Sequence, residues 1–519
     1  MPMGDILRRS ALRFPEKTAF IYGTERWSYR SFNRRVNRLA DSLLKSGLSK
    51  GNLVAALLHN GPEFFEIYYA CAKIGGVFVP VNNLLREAEL RRVLQYLEPR
   101  YLFFDPEYRE VVESIREHLK STQFFIELRG ASASSFKAYD ALIEKGSPTE
   151  PQVSITDDDL VSIFLTSGTT GLPKGAMRTH RHVFLNALVG AIELNLRYDD
   201  RVLMVFPFYH VTWEDNMRHV LMGNSIVIRK EGGFDPREVL DILARETISV
   251  CQLVPTMISS ILQSEDIEER DLSHFRMLIY AASPMPVELL KKTMKRFKCQ
   301  FTQFYGQTET GPLITVLRPE DHVLEGSERQ LAKLASAGKP VLNYEVRIID
   351  QDGKNVRTGE VGEIVVRSES MTIGYWRLPE ETAKTIKAGW LHTGDFGRFD
   401  EDGYIYIVDR KNDMIISGGK NIYPREIEEV LYRHDAVMEA AVIGVPDDHW
   451  GESVRALVVL KPGKKTTEDD IIAFCKKNLA SYKKPRRVEF RQELPKNPTG
   501  KILKTFIREE YWKGRERKV

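Results

Sequence analysis

The sequence predicts an α/β protein: a large N-terminal domain of layered α/β subdomains, followed by a small α+β domain at the C-terminus. Three observations carry this. The chain has 519 residues, too many for one ordinary domain. Short apolar runs alternate with helical patterns through its first two thirds, which argues for largely parallel sheets covered by helices. Beyond roughly residue 340 the texture changes to alternating runs beside Asp-Gly turns, the mark of hairpins.

In chain order, residues 53–58 and 101–104 read as buried strands. Between them 62–73 reads as a helix, because Phe64, Phe65, Tyr68 and Cys71 recur at helical spacing. Strands follow at 160–165, 202–206 and 225–229, with a helix from about His182 before the second of them. A helix at 236–244 leads to strands at 249–253 and 277–280. Val346-Arg-Ile-Ile-Asp-Gln-Asp-Gly and Phe399-Asp-Glu-Asp-Gly-Tyr-Ile-Tyr-Ile-Val each predict a hairpin. The last hundred or so residues read as a helix at 422–434 with Pro424 near its first turn, strands at 440–445 and 456–460, and a helix at 468–478. The boundary between the two parts falls at 409–412.

Composition narrows the function. Hydrophobic residues make up 42% and charged residues 28%, as in an ordinary globular protein. A net charge of +3 gives no electrostatic case for nucleic acid as the main partner. Cys71, Cys251, Cys299 and Cys475 are scattered without a Cys-x-x-Cys pair, against a zinc site or a disulfide framework. The N-terminus lacks the apolar core of a signal peptide, and the most apolar stretch, 67–81, is broken by Lys73, Gly75 and Gly76. A cytoplasmic location with no membrane span is the expectation.

The segment richest in chemistry is Thr166-Ser-Gly-Thr-Thr-Gly-Leu-Pro-Lys-Gly175, directly after an apolar strand. Glycines let backbone amides turn toward an anion, and hydroxyls with Lys174 add donors, so the loop suits a polyphosphate. It lacks the Gly-Lys-Ser/Thr ending of a Walker loop, and Pro173 precedes its lysine.

This string resembles the phosphate-binding loop of the adenylate-forming superfamily: acyl-CoA synthetases, peptide-synthetase adenylation domains and firefly-type luciferases. Further motifs follow in that family's order along nearly the whole chain. The resemblance implies phosphate contacts from Thr166, Ser167, Gly168, Thr169, Thr170 and Lys174. It implies an adenine pocket from Ala282 and Ser283, in Tyr280-Ala-Ala-Ser-Pro284, and from Tyr305, Gly306, Gln307 and Thr308. Glu309, with Thr166, would hold Mg²⁺, a cation that wants hard oxygen ligands. Asp395 in Trp390-Leu-His-Thr-Gly-Asp395 would bind the ribose hydroxyls, with Ile407 and Arg410 beside the nucleotide. Residues 1–409 would form the adenylation domain, 410–412 the hinge and 413–519 a mobile lid. Asn412 stands at the pivot, where many relatives carry Asp or Lys.

Within Pro495-Lys-Asn-Pro-Thr-Gly-Lys501, Lys501 matches the family's catalytic lysine, a cation for charge developing at the α-phosphate. His210, in Pro207-Phe-Tyr-His210, resembles the histidine beside the carboxylate pocket; an isolated histidine would more often be a hydrogen-bonded core residue. Trp213, Met217 and Phe304 would line the acyl cavity or simply pack. Trp213, Glu214, Asp215 and Asn216 form a polar-aromatic cluster. If they reach the pocket they suit a short, polar or cationic acid; if they face solvent, medium-chain or aryl acids stay open.

Ser417-Gly-Gly-Lys-Asn resembles the thioester-forming face of CoA ligases, with Gly418 and Gly419 beside a pantetheine path. Trp450, Tyr482 and Lys484 fall where some relatives contact the CoA nucleotide. The implied activity is an ATP-, Mg²⁺- and CoA-dependent acid-thiol ligase acting on a small carboxylate. A carrier-protein ligase and a luciferase-like monooxygenase are the alternatives.

Overall fold

The computed structural model describes residues 1–129, 136–166, 173–230, 232–264, 267, 270–410, 413–496 and 500–513. Among these residues four sheets form. In the first, Phe124–Glu127, Tyr101–Phe104, Leu53–Leu57, Val77–Pro80 and Leu160–Thr166 run parallel, and Lys174–Thr179 closes one edge antiparallel. In the second, Thr18–Tyr22, Ser225–Ile228, Arg201–Met204, Val250–Leu253, Met277–Tyr280 and Gln300–Tyr305 form a parallel centre. Glu25–Ser28 and Thr315–Leu317 flank that centre antiparallel.

Helix Pro62–Ile74 is apolar nearly all round, and it is buried nearly all round, in the core that the two sheets share. The helix expected from His182 begins two residues earlier, at His180, because Thr179 caps it by accepting the His182 N–H. The strand expected at 202–206 ends at Met204.

The expected parallel character stops at the third sheet. Glu345–Ile349, Gly362–Arg367, Trp390–Phe399 and Ile405–Arg410 pair antiparallel throughout. Asp-Gly turns lie where the sequence marks them, since turn and alternation are local signals. The fourth sheet joins Ile415–Ser417, Lys420–Ile422, Val437–Asp447 and Gly451–Leu460 antiparallel, with Arg487–Phe490 added parallel. Helices Pro424–Tyr432 and Glu468–Asn478 cover it through Ile427, Val430, Leu431, Ile471 and Cys475, a core separate from that of the preceding sheets. Among the described residues no helix is long and apolar enough to cross a membrane.

Candidate active site

Several strands end on one cleft. Thr166 terminates the strand that enters the phosphate loop, and its Oγ1 donates to the Lys174 carbonyl across the antiparallel pair at 3.3 Å. Ser167, Gly168, Thr169 and Thr170 lie outside the described residues. Lys174 Nζ pairs with Glu381 at 2.6 Å and lies 5.2 Å from the centre of the Tyr375 ring. The Tyr375 hydroxyl in turn donates to Glu309 Oε1 at 2.8 Å. Phosphate-loop lysine and candidate metal carboxylate are thus joined through one tyrosine that no sequence motif singled out.

Tyr305 and Gln307 converge on Asp395. The Tyr305 hydroxyl and Gln307 Nε2 each donate to Asp395 Oδ2 at 2.8 Å, and Arg410, opposite Asp395 across the strands, brings Nε to 3.3 Å from Oδ1. A carboxylate held in this way is oriented to accept from two neighbouring hydroxyls. Gly306 is required by packing, because a Cβ there would lie 2.4 Å from the Pro312 carbonyl carbon. Thr308 contributes its carbonyl to Arg178. Ile407 is half-buried in its strand, and its carbonyl accepts from Arg425 at 2.9 Å. Ala282, beside half-buried Ser283, is exposed with φ of 70°, a left-handed backbone that alanine adopts at a cost.

Lys501 reaches this cleft from the C-terminal unit. Burial above all, with Arg410 beside it, pulls its ammonium down to about 8 against the opposing pull of Asp395 and Asp413. Its segment is seated on the N-terminal domain where Thr256 Oγ1 donates to the Gly500 carbonyl at 3.2 Å. Lys501 also acts on His210, whose ring is held down to about 4 by burial and by that cation. His210 Nδ1 accepts the Thr212 N–H at 3.3 Å, which leaves the proton of the neutral ring on Nε2. This histidine therefore stands close enough to Lys501 for that charge to act on its ring.

The four residues after Thr212 depart from both expectations for them. Trp213, Glu214, Asp215 and Asn216 are all buried, so they do not face solvent. Their acids are already paired, Glu214 with Arg178 and Asp215 with Arg218. Trp213 packs edge-on to Phe64, Phe65 and Tyr68, within an aromatic core. It is not a platform for a cationic substrate.

On the C-terminal unit Gly418 and Gly419 form an exposed turn between two short strands, with φ of 57° and 74°. A Cβ on Gly418 would lie 2.5 Å from the Trp450 ring, whereas one on Gly419 would meet nothing within 4 Å. Trp450 is 40% exposed with the Arg486 guanidinium 4.9 Å from its ring centre. Tyr482 is 43% exposed with Lys420 at 4.5 Å. Lys483 is held by Glu426 at 2.7 Å, and Lys484 is half-buried nearby. Asn412 lies outside the described residues.

The residues fit magnesium arriving with a nucleotide. Among the described residues no group of three or more His, Cys, Asp or Glu could hold a metal by itself. Glu309 and the Thr166 hydroxyl offer hard oxygens beside the phosphate loop, the donor set of a cation shared with phosphates.

Two family models match the chain: AMP-binding enzyme over residues 7–376, and AMP-binding enzyme C-terminal domain over 426–501. A feruloyl-CoA synthase of Amycolatopsis sp is 36% identical over 505 residues, 97% of this chain and 98% of that protein. A fatty acid–[acyl-carrier-protein] ligase of Streptomyces coeruleorubidus is 36% identical over 499 residues, 95% of this chain and 93% of that one. A crystal structure of the anthranilate CoA ligase AuaEII with anthranoyl-AMP superposes with a TM-score of 0.91 at 28% identity, covering 98% of this chain and 97% of that one. With both family models matched in order and such relatives aligned end to end, the chain belongs to the AMP-binding enzymes, the adenylate-forming family that includes the acyl-CoA synthetases.

Proposed function

We propose that the protein is an ATP-dependent acyl-CoA ligase that uses one cleft for two half-reactions. In the first, a carboxylate oxygen attacks the α-phosphorus of ATP, pyrophosphate departs and acyl-AMP forms. Lys501 supplies positive charge where it develops, and His210 orients the carboxylate from Nε2. Asp395, Tyr305 and Gln307 hold the ribose and adenine. Glu309 and Thr166 would hold magnesium, which would supply positive charge to neutralise phosphate oxygens.

In the second half-reaction the lid turns about 410–412, withdrawing Lys501 and presenting the Gly418–Gly419 turn. The CoA sulfur then attacks the acyl carbonyl, the thiol proton is released and AMP leaves. One active site serves both steps by exchanging its lid.

The observation that carries this reading is the seating of the Lys501 segment on the N-terminal domain through Thr256 and Gly500, which brings Lys501 near enough for its charge to interact with His210 and Asp395. For the acceptor, Trp450 with Arg486 and Tyr482 with Lys420 support free CoA, since an aromatic face flanked by cations suits a phosphorylated adenosine. The aligned carrier-protein ligase keeps a protein-borne pantetheine as the second reading. Four free cysteines support a reducing, cytoplasmic location.

The deciding experiment is pyrophosphate release with Mg-ATP across short, medium, long, aromatic and quaternary-ammonium acids, each with and without CoA. Catalytic turnover that needs CoA, with thioester detected, is the expected result. Release that stays near one turnover with CoA, but becomes catalytic with a holo-carrier protein, moves the assignment to the second reading.

A further inference from the structure

One buried ion pair touches four segments of the cleft. Arg178 lies on the strand that leaves the phosphate loop, and Glu214 on the short helix Thr212–Asp215 that follows His210. Both side chains are at most 2% exposed, and Arg178 Nε lies 2.5 Å from Glu214 Oε2, too poorly aligned for a hydrogen bond but closely paired in charge. Glu214 Oε1 accepts from Ser162 at 2.5 Å, on the strand that enters the phosphate loop. Arg178 Nη1 donates to the Thr308 carbonyl at 3.4 Å, one residue before Glu309. The same guanidinium packs under Gly311, where a Cβ would lie 2.9 Å from Nη2 and 1.9 Å from Asn186 Nδ2. Gly311 has φ of 62°, so the chain turns tightly against this pair two residues after the candidate metal ligand.

Stability does not explain such a pair. Removing two charges from water is expensive, and an apolar pair of equal volume would often serve a core as well or better. What an apolar pair lacks is a second arm to a carbonyl. We propose that Arg178, held by Glu214, is a positioning residue for the metal-phosphate site: it fixes the 308–311 segment, and with it Glu309, against the two strands of the phosphate loop. Ribose and adenine binding depend on it less, because the Tyr305 hydroxyl and Gln307 Nε2 also hold Asp395 directly, on a separate strand. The inference rests on the ligase reading only for the identity of the nucleotide, and its test needs no carboxylate.

The test is calorimetric binding of Mg-ATP and of AMP, with melting temperature, for wild type, Arg178→Lys and the double variant Arg178→Met/Glu214→Met. Lysine keeps a charge for Glu214 but cannot also reach Thr308; the double variant removes both charges and keeps the volume. Both variants are expected to melt close to wild type, weaken Mg-ATP by about tenfold, and leave AMP affinity within about twofold, the size expected for one hydrogen bond to a charged group. Raising Mg²⁺ should recover part of the Arg178→Lys loss. Unchanged Mg-ATP affinity in a folded variant overturns the proposal, as does parallel loss of AMP and Mg-ATP. If wild type binds Mg-ATP but turns over no acid, the ligase reading fails while this one stands.

Discussion

Adenylation should lose its rate as Lys501 loses its proton, at a pH unusually low for a lysine. The group sits at about 8 because its enclosure and the neighbouring Arg410 both disfavour the cation. The protonated fraction then falls from roughly 90% at pH 7 to roughly 10% at pH 9, whereas an ordinary lysine near 10.4 would stay above about 95% protonated. The kcat/KM for ATP, which reports the free enzyme, should therefore drop about tenfold over that interval. In the ATP complex the phosphates restore favourable charge, so the alkaline limb of kcat should move upward. The assay is ATP–pyrophosphate exchange from pH 6 to 10, beside thioester formation from supplied acyl-AMP. Arg, which does not titrate in this range, should abolish the limb in Lys501→Arg whatever activity remains. A flat kcat/KM between pH 7 and 9 would refute the enclosure argument, as would an alkaline loss of equal size in Lys501→Arg.

Other perturbations separate the two halves of the reaction. Lys501→Ala should abolish acyl-AMP formation and spare thioester formation from supplied acyl-AMP, while Gly419→Leu should do the reverse; equal loss of both steps in either variant contradicts its role. Trp450→Ala should raise the KM for CoA by about tenfold, the worth of one stacked base, without changing that for pantetheine. Ala282→Val should lower stability by roughly 1–3 kcal/mol in urea unfolding, because a β-branched residue tolerates φ of 70° worse than alanine, and Ala282→Gly should cost nothing measurable.

What was legible in the sequence was what is encoded locally. The strands of the two parallel sheets read clearly because short apolar runs between turn residues are encoded within a few residues. Hairpins at Asp-Gly turns read for the same reason. The polarity of residues 213–216 was misleading, because sequence shows charge but not its partner: Glu214 and Asp215 are buried against Arg178 and Arg218. Arg178 gave no signal, since its pairing exists only once the sheet and the short helix are stacked. Tyr375 was silent too, as its hydroxyl reaches Glu309 from a different part of the chain. Ala282 carries its strain in a torsion angle, and no residue type announces that.

Trp450 has a practical consequence. It is the tryptophan found among the exposed large apolar side chains, while Trp213 is sealed inside the aromatic core. The other four of the six tryptophans are half-buried, so the difference between wild type and Trp450→Phe should isolate a red-shifted signal that iodide can reach. An adenine stacking on Trp450 would dim that difference signal and leave the emission of sealed Trp213 unchanged. Quenching by CoA that disappears in Trp450→Phe would give an optical gauge of acceptor binding, readable in a stopped-flow mixer without attaching a dye.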